Sequence, residues 1–158
     1  PDPVVFFEAK ALYHAVQEEV PDEPETLPLG RAQVVREGSD VTLVAYGAMV
    51  PLAEQAAAEL DASAEVLDLR SLKPLDEAAL LRSVAKTGRA VLIQEAPRTC
   101  GFMAEVAAVL AERALLDLQA PVLRVTGYDV PYPYWQLEDH YMPSVARVLD
   151  AARRALAF

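Results

Sequence analysis

From Val41 onward the chain alternates short apolar runs with longer stretches in which apolar residues return every three or four positions. "VTLVAY", "AEVLDL", "RAVLIQE" and "PVLRVTG" are the short runs. They are nearly continuous in aliphatic residues, the pattern of strands buried on both faces. Gly47 interrupts the first run ahead of the alanine-rich "PLAEQAAAEL", where Pro51 suits the first turn of a helix. Asp76 precedes "EAALLRSVAKT" as an N-cap, and Gly88 follows it as a C-terminal stop. A third helix is predicted from Phe102 to Leu118. After a loop rich in aromatics and prolines, a last one runs from Ser144 to Leu156. Strand followed by helix, repeated, calls for right-handed crossovers and a mostly parallel sheet with helices on both faces.

Ahead of this region, "RAQVVREGSDVTLVAYG" holds two β-rich runs around "EGSD", which predicts a hairpin whose first strand is antiparallel to the second. The acidic, proline-rich "DEPETLP", Asp22 to Pro28, has no apolar period and reads as an extended connector. The expected division is therefore a tail and connector over residues 1–28 and a compact domain over 29–158. The opening "PDPVVFFEAKALY" lacks an initiator Met and is strongly apolar, so it reads as the end of an upstream unit.

With 53% hydrophobic residues among 158, the chain can bury one sizeable core. Fourteen basic against twenty-four acidic residues give a formal charge of -10, which repels phosphate backbones and anionic headgroups. Nucleic acid and membrane surfaces are thereby excluded as expected partners. No apolar run reaches the roughly 18 to 20 residues of a membrane helix, and no signal-peptide pattern opens the chain. A single cysteine, Cys100, forms no internal disulfide and suits a reducing compartment, the cytoplasm or an organelle matrix.

Ligands of open parallel sheets gather beyond the C-terminal strand ends. The residues to weigh are therefore Gly47 and Ala48; Arg70, Ser71 and Lys73; "EAPRTCGF", Glu95 to Phe102; and "YDVPYPYW". "GAMVPLA" has one glycine where a dinucleotide or phosphate loop needs several. Asp68 lies inside its strand with only Lys73 near, too little for a phosphate-receiving aspartate cluster. Cys100 has no neighbouring base and reads as a small thiol packed in a turn. His14 and His140 read as surface or packing residues. Glu95 with Arg98, and Asp68 with Arg70, read as local ion pairs. "YPYW" and "LEDHY" suit a ligand pocket or a protein interface, and the interface is favoured because Pro131, Pro133 and Pro143 would hold this loop stiffly outside the sheet. No catalytic, cofactor-binding or metal residue is assigned on these grounds.

"PLGRAQVVREGSDVTLVAYGAMV", "EVLDLRSLKPLDE", "SVAKTGRAVLIQEAPRTCGF" and "APVLRVTGYDVPYPY", in this order and spacing, resemble the C-terminal half of the beta subunit of thiamine-diphosphate-dependent 2-oxo acid dehydrogenases. The family's usual form of "EAPRTCGF" has a second glycine in place of Cys100, which argues against a catalytic thiol. The resemblance implies the transketolase C-terminal fold: a five-stranded, mostly parallel sheet with one antiparallel strand and helices on both faces, a three-layer α/β sandwich. It implies oxidative decarboxylation with acyl transfer to a lipoyl arm by the whole assembly. Thiamine diphosphate and magnesium are then held by an alpha subunit and a beta N-terminal domain, and not by this domain alone. The implied partners are the alpha subunit, a second beta subunit in a heterotetramer, and the basic subunit-binding domain of the dihydrolipoyl acyltransferase. Phe158, with its carboxylate, and the acids Glu138 and Asp139 are the expected docking contacts. "GYDVPYPY" leans towards branched-chain substrates. The alternative is a free-standing ligand-binding or regulatory α/β module, which gene context separates from the first reading.

Overall fold

The computed structural model describes residues 3–15, 19, 22–23, 26–134 and 136–158. Its sheet comprises β1 (Gln33–Arg36), β2 (Val41–Ala45), β3 (Ala64–Asp68), β4 (Ala90–Pro97) and β5 (Leu123–Gly127), ordered β1-β3-β2-β4-β5. The helices are α1 (Met49–Glu59), α2 (Glu77–Thr87), α3 (Phe102–Arg113), the single turn α4 (Glu138–Tyr141) and α5 (Val145–Leu156). Strands β2 to β5 run parallel and β1 runs antiparallel to β3. This is the expected mixed sheet.

The continuous apolar strands are explained by their two covered faces. Val41, Leu43 and Ala45 of β2 join Val66, Val91 and Ile93 in a core closed by α1 and α5. Val44, Leu67 and Leu92, on the other face, pack under Leu80 and Val84 of α2 and Met103, Val106 and Leu110 of α3. Successive strand residues thus feed opposite layers, as the two-residue period demands.

Local signals place the helix ends. Asp76 Oδ1 accepts the Ala79 amide at 3.0 Å, and Gly88 closes α2 at φ 70°, where a side chain is disfavoured. Ser144 Oγ accepts from the Arg147 amide at 3.4 Å to start α5. Helix α3 ends at Arg113 and not at Leu118: Ala114 leaves helical geometry at φ -128°, ψ 15°. The Gln119 amide bonds the Gly88 carbonyl at 2.7 Å, turning the chain towards β5, so Leu115 and Leu116 are left in solvent.

The expected hairpin does not form, because β3 lies between β1 and β2. Their relative direction is as read, but they are not neighbours. The four residues Glu37–Asp40 cross the start of β3, where the Ser39 and Asp40 amides bond the Ser63 carbonyl at 3.0 and 2.8 Å. A Cβ on Gly38 would stand 2.2 Å from the Ala64 carbonyl carbon and the Glu65 nitrogen, so only glycine fits this crossing.

One polar seam runs through the α2 layer. Ser83 Oγ donates to buried Glu65 at 2.5 Å and pairs with Thr42 Oγ1 at 2.8 Å, while Thr87 Oγ1 reaches Thr42 from below. Lys86 bridges Glu65 to exposed Glu37. Every member has a partner, the condition under which buried polar groups are tolerated.

Candidate functional site

The loop after β4 is built around Gln94, which is fully buried. Its Oε1 accepts the Met103 amide at 2.8 Å, taking the capping role that Gly101 has no side chain to fill, and its Nε2 donates to the Pro97 carbonyl at 2.9 Å. A Cβ on Gly101 would lie 1.9 Å from that nitrogen. Asp129 holds the loop from the β5 side by accepting both the amide and the hydroxyl of Thr99 at 2.8 Å. Those bonds keep the Asp129 carboxyl below the usual range.

Cys100 is exposed at φ 60°, so the expectation of a packed thiol is corrected. The turn needs a left-handed residue there, and the side chain is directed away from the core as a result. Among the described residues Glu95 and Arg98 form no ion pair, whereas Asp68 and Arg70 do, at 3.8 Å. Burial pushes the Asp68 carboxyl up, opposed by the Arg70 amide and guanidinium. Tyr46, edge-on to Phe102 at 6.1 Å, has its phenol raised by burial and by the charge of Glu95. "EAPRTCGF" is thus a clamped joint between β4 and α3.

Beyond β5 the chain rises into an aromatic rim. The Tyr141 ring is edge-on to Tyr132 at 5.0 Å and to Tyr128 at 6.3 Å. The Arg147 guanidinium lies 4.7 Å from the Tyr128 ring centroid. Tyr132 donates to Glu138 Oε2 at 3.2 Å, so this carboxylate is fixed on α4; Asp139 beside it is exposed. Val130, Tyr134 and Leu137 are exposed as well, so the rim carries apolar surface beside its acids. Trp135 of "YPYW" lies outside the described residues. His14 and His140 are exposed.

Phe158 is not part of that rim. Helix α5 carries the chain back across the sheet, about 18 Å for its length of twelve residues, to the N-terminal strand ends. There Phe158, 75% exposed, borders a groove of about 490 Å³ lined by Ala107, Ala111, Leu115, Leu118, Pro121 and Val122. Of the three expected docking residues, the structure groups Glu138 with Asp139 and sets Phe158 at the opposite end. The groove walls escaped sequence reading because Leu115 and Leu118 continue the helical period of α3. The exposure of Leu115 follows from a bond between Gln119 and Gly88 that no local pattern announces, while Leu118 stays half-buried against the core.

A parallel sheet with one antiparallel edge strand, covered by helices on both faces, defines a three-layer α/β domain. Residues 30–148 match the family model for the transketolase C-terminal domain, and the chain belongs to that family. Within it, the chain is 47% identical over 160 residues to the pyruvate dehydrogenase E1 component subunit beta of Staphylococcus epidermidis, and 47% to that of Bacillus subtilis strain 168. Each alignment covers 99% of this chain and 49% of the relative, so the chain spans about half the length of these curated relatives. A split-gene transketolase solved as an inactive beta4 tetramer superposes with a TM-score of 0.75 at 34% identity, covering 89% of this chain and 46% of that one. A 2-oxoglutarate:ferredoxin oxidoreductase from Magnetococcus marinus shares the fold alone, with a TM-score of 0.51 at 9% identity over 80% of this chain and 19% of that one. Among the described residues no helix is long and apolar enough to cross a membrane.

Proposed function

We propose that residues 29–158 are the C-terminal assembly domain of the beta subunit of a 2-oxo acid dehydrogenase decarboxylase component, preceded by a tail and connector over 1–28. The observation that carries this reading is near-complete coverage of the chain at 47% identity by beta subunits of pyruvate dehydrogenase. The whole assembly decarboxylates a 2-oxo acid oxidatively and hands the acyl group to lipoamide. It comprises alpha and beta subunits in a heterotetramer and works in the cytoplasm, or the mitochondrial matrix in a eukaryote. The names of the relatives weigh towards pyruvate, where "GYDVPYPY" alone leans to branched-chain acids; a panel of 2-oxo acids assayed on the assembly separates them.

In this reading thiamine diphosphate and magnesium are held elsewhere in the assembly. The residues of this chain do not fit them: the turns after β2, β3 and β4 offer no glycine-rich cradle for a diphosphate. No cluster of three or more His, Cys, Asp or Glu among the described residues is arranged to hold a metal. Isothermal calorimetry on the 158-residue chain should show no stoichiometric binding of thiamine diphosphate at micromolar concentration. Tight binding would overturn the assignment of the cofactor to other domains.

Assembly and docking are assigned to two of the uncovered surfaces. The groove beside Phe158 supports contact with the subunit-binding domain of the acyltransferase, since it offers an aromatic ring and apolar walls. Glu138 and Asp139 add an acidic surface at the other end, suited to a basic partner. Surface plasmon resonance of that domain on the alpha–beta assembly tests both. Phe158→Ala should speed dissociation about tenfold or more, and Glu138→Gln with Asp139→Asn should reduce the salt dependence. Binding indifferent to all three changes would place docking elsewhere.

A further inference from the structure

Most charges of this acidic chain are negative, yet one groove is basic. Between the edge strand β5 and helix α5 lies a groove of about 380 Å³ lined by Arg124, Arg147 and Arg154, with Asp150 as its one carboxylate. Val125, Ala146 and Ala151 form its apolar parts. Arg154 pairs with Asp150 at 3.6 Å. The other two guanidiniums pair with no carboxylate among the described residues; backbone carbonyls hold them instead. Arg124 donates to the Arg98 carbonyl at 3.1 Å. Arg147 donates to the carbonyls of Thr126 at 2.5 Å, Met142 at 3.1 Å and Tyr141 at 3.3 Å, and lies against the Tyr128 ring. Carbonyl contacts fix the direction of a guanidinium while leaving its charge uncompensated. Two preorganised positive charges therefore border the groove, and a third stands on its rim.

We propose that this β5–α5 groove docks an extended acidic segment of a partner polypeptide. Three features select that occupant. The cations are spread along the groove: Arg147 and Arg154 stand two helical turns apart, about 10 Å along the axis, the span of roughly three extended residues and too far for one phosphate to join at their roots. β5 is an edge of the sheet, where an added extended chain lies naturally, and the small Ala146 and Ala151 leave it room. Long polyanions are disfavoured, because a chain of net charge -10 repels whatever extends past the groove, whereas a short acidic segment meets only the arginines. Carboxylates of such a segment reach Arg154 on the helix and Arg124 at the sheet edge, above a floor formed by the buried Val125 and Ala151.

The test is fluorescence anisotropy of the 158-residue chain with a fluorescein-labelled hexapeptide of alternating valine and glutamate. The same peptide with lysine for glutamate, and inorganic phosphate as competitor, complete it. Saturable binding of the acidic peptide that falls with rising salt is expected, with Arg124→Gln plus Arg154→Gln weakening it about tenfold or more. Arg154→Gln alone holds no backbone group, so its expected loss of about threefold is free of any effect on folding. Arg153→Gln, on the same helix but outside the groove, should leave binding within about twofold of wild type. Equal binding of the lysine peptide, an equal loss from Arg153→Gln, or no saturable binding up to millimolar peptide would overturn the proposal. So would displacement of the peptide by phosphate at matching concentration, which would make the groove a simple anion site.

Discussion

Asp129 accepts both the amide and the hydroxyl of Thr99 at 2.8 Å, joining the loop after β4 to the loop after β5 across thirty residues of sequence. Because these bonds favour the ionised carboxylate, they lower its pKa, the amide contributing most. A depressed folded pKa means that the clamp is complete above the usual value of about 3.8 and is lost as pH falls through the folded one. Thr99→Val removes the hydroxyl bond, so a carboxyl-carbon NMR titration should show the Asp129 pKa rising towards its ordinary value. An unchanged titration would show that the hydroxyl does not hold the carboxylate in solution.

Asp76 serves two elements. It caps α2 through Ala79 and accepts the Ala32 amide at 3.1 Å, tying the approach to β1 down beside that helix. Burial opposes its ionisation, but these bonds and the charges of Arg31 and Arg82 leave its pKa below the ordinary value. Asp76→Ala should cost about 1 to 2 kcal/mol in urea unfolding at neutral pH. For wild type, the contribution is present above about pH 4 and disappears as pH falls through the depressed pKa, so the two proteins should converge in acid.

Lys86 is 41% exposed at its side chain while its partner Glu65 is 1% exposed. Removing the lysine leaves a buried carboxylate with only Ser83 beside it. Full burial of such an orphan costs about 3 to 5 kcal/mol; with half of the pair near water, Lys86→Met should cost about 2 kcal/mol. Adding Glu65→Gln should recover much of that loss, since no charge is then left behind. The bonds to Glu65 and Glu37 raise the Lys86 pKa, so the pairing is complete below about pH 10.5 and is lost as pH rises through the raised value. Chemical denaturation of the single and double variants checks both signs.

Neighbouring Cys100 and Gly101 should respond oppositely to small substitutions. At φ 60°, Cys100→Gly relieves a left-handed conformation and should stabilise by about 0.5 to 1 kcal/mol, whereas Cys100→Ala should not. Gly101→Ala drives a Cβ into Gln94 and the Pro97 carbonyl, 2.5 Å away, and should cost more than about 2 kcal/mol. Thermal melts of the three variants decide the order.

Legibility followed the range of the interactions. Asp76, Gly88 and Ser144 act within one turn of their own helices, so their residue types alone marked α2 and α5. The parallel strands β2 to β4 were visible because both of their faces are largely apolar, and β5 because its aliphatic run is broken only by Arg124 and Thr126. What escaped depends on residues far apart in sequence: β3 inserting beside β1, Gln119 ending the reach of α3, and Phe158 lining one groove with Leu115 and Pro121. Cys100 was misjudged for a related reason, since its exposure comes from a backbone angle imposed by Gln94 and Asp129, and nothing in "RTCGF" reveals that angle.

The crossing at Gly38 also orders assembly in time. Val34 pairs with Leu67, thirty-three positions away, so no short loop closure can nucleate that edge, and the "EGSD" turn has no hairpin to start. β1 cannot pair until β3 has been formed, and a contact of such sequence separation spends loop entropy before any pairing offsets it. The strand that pairs only with β3 is also the one nearest the connector, so a pull from upstream would peel β1 away before the core of the sheet feels any load.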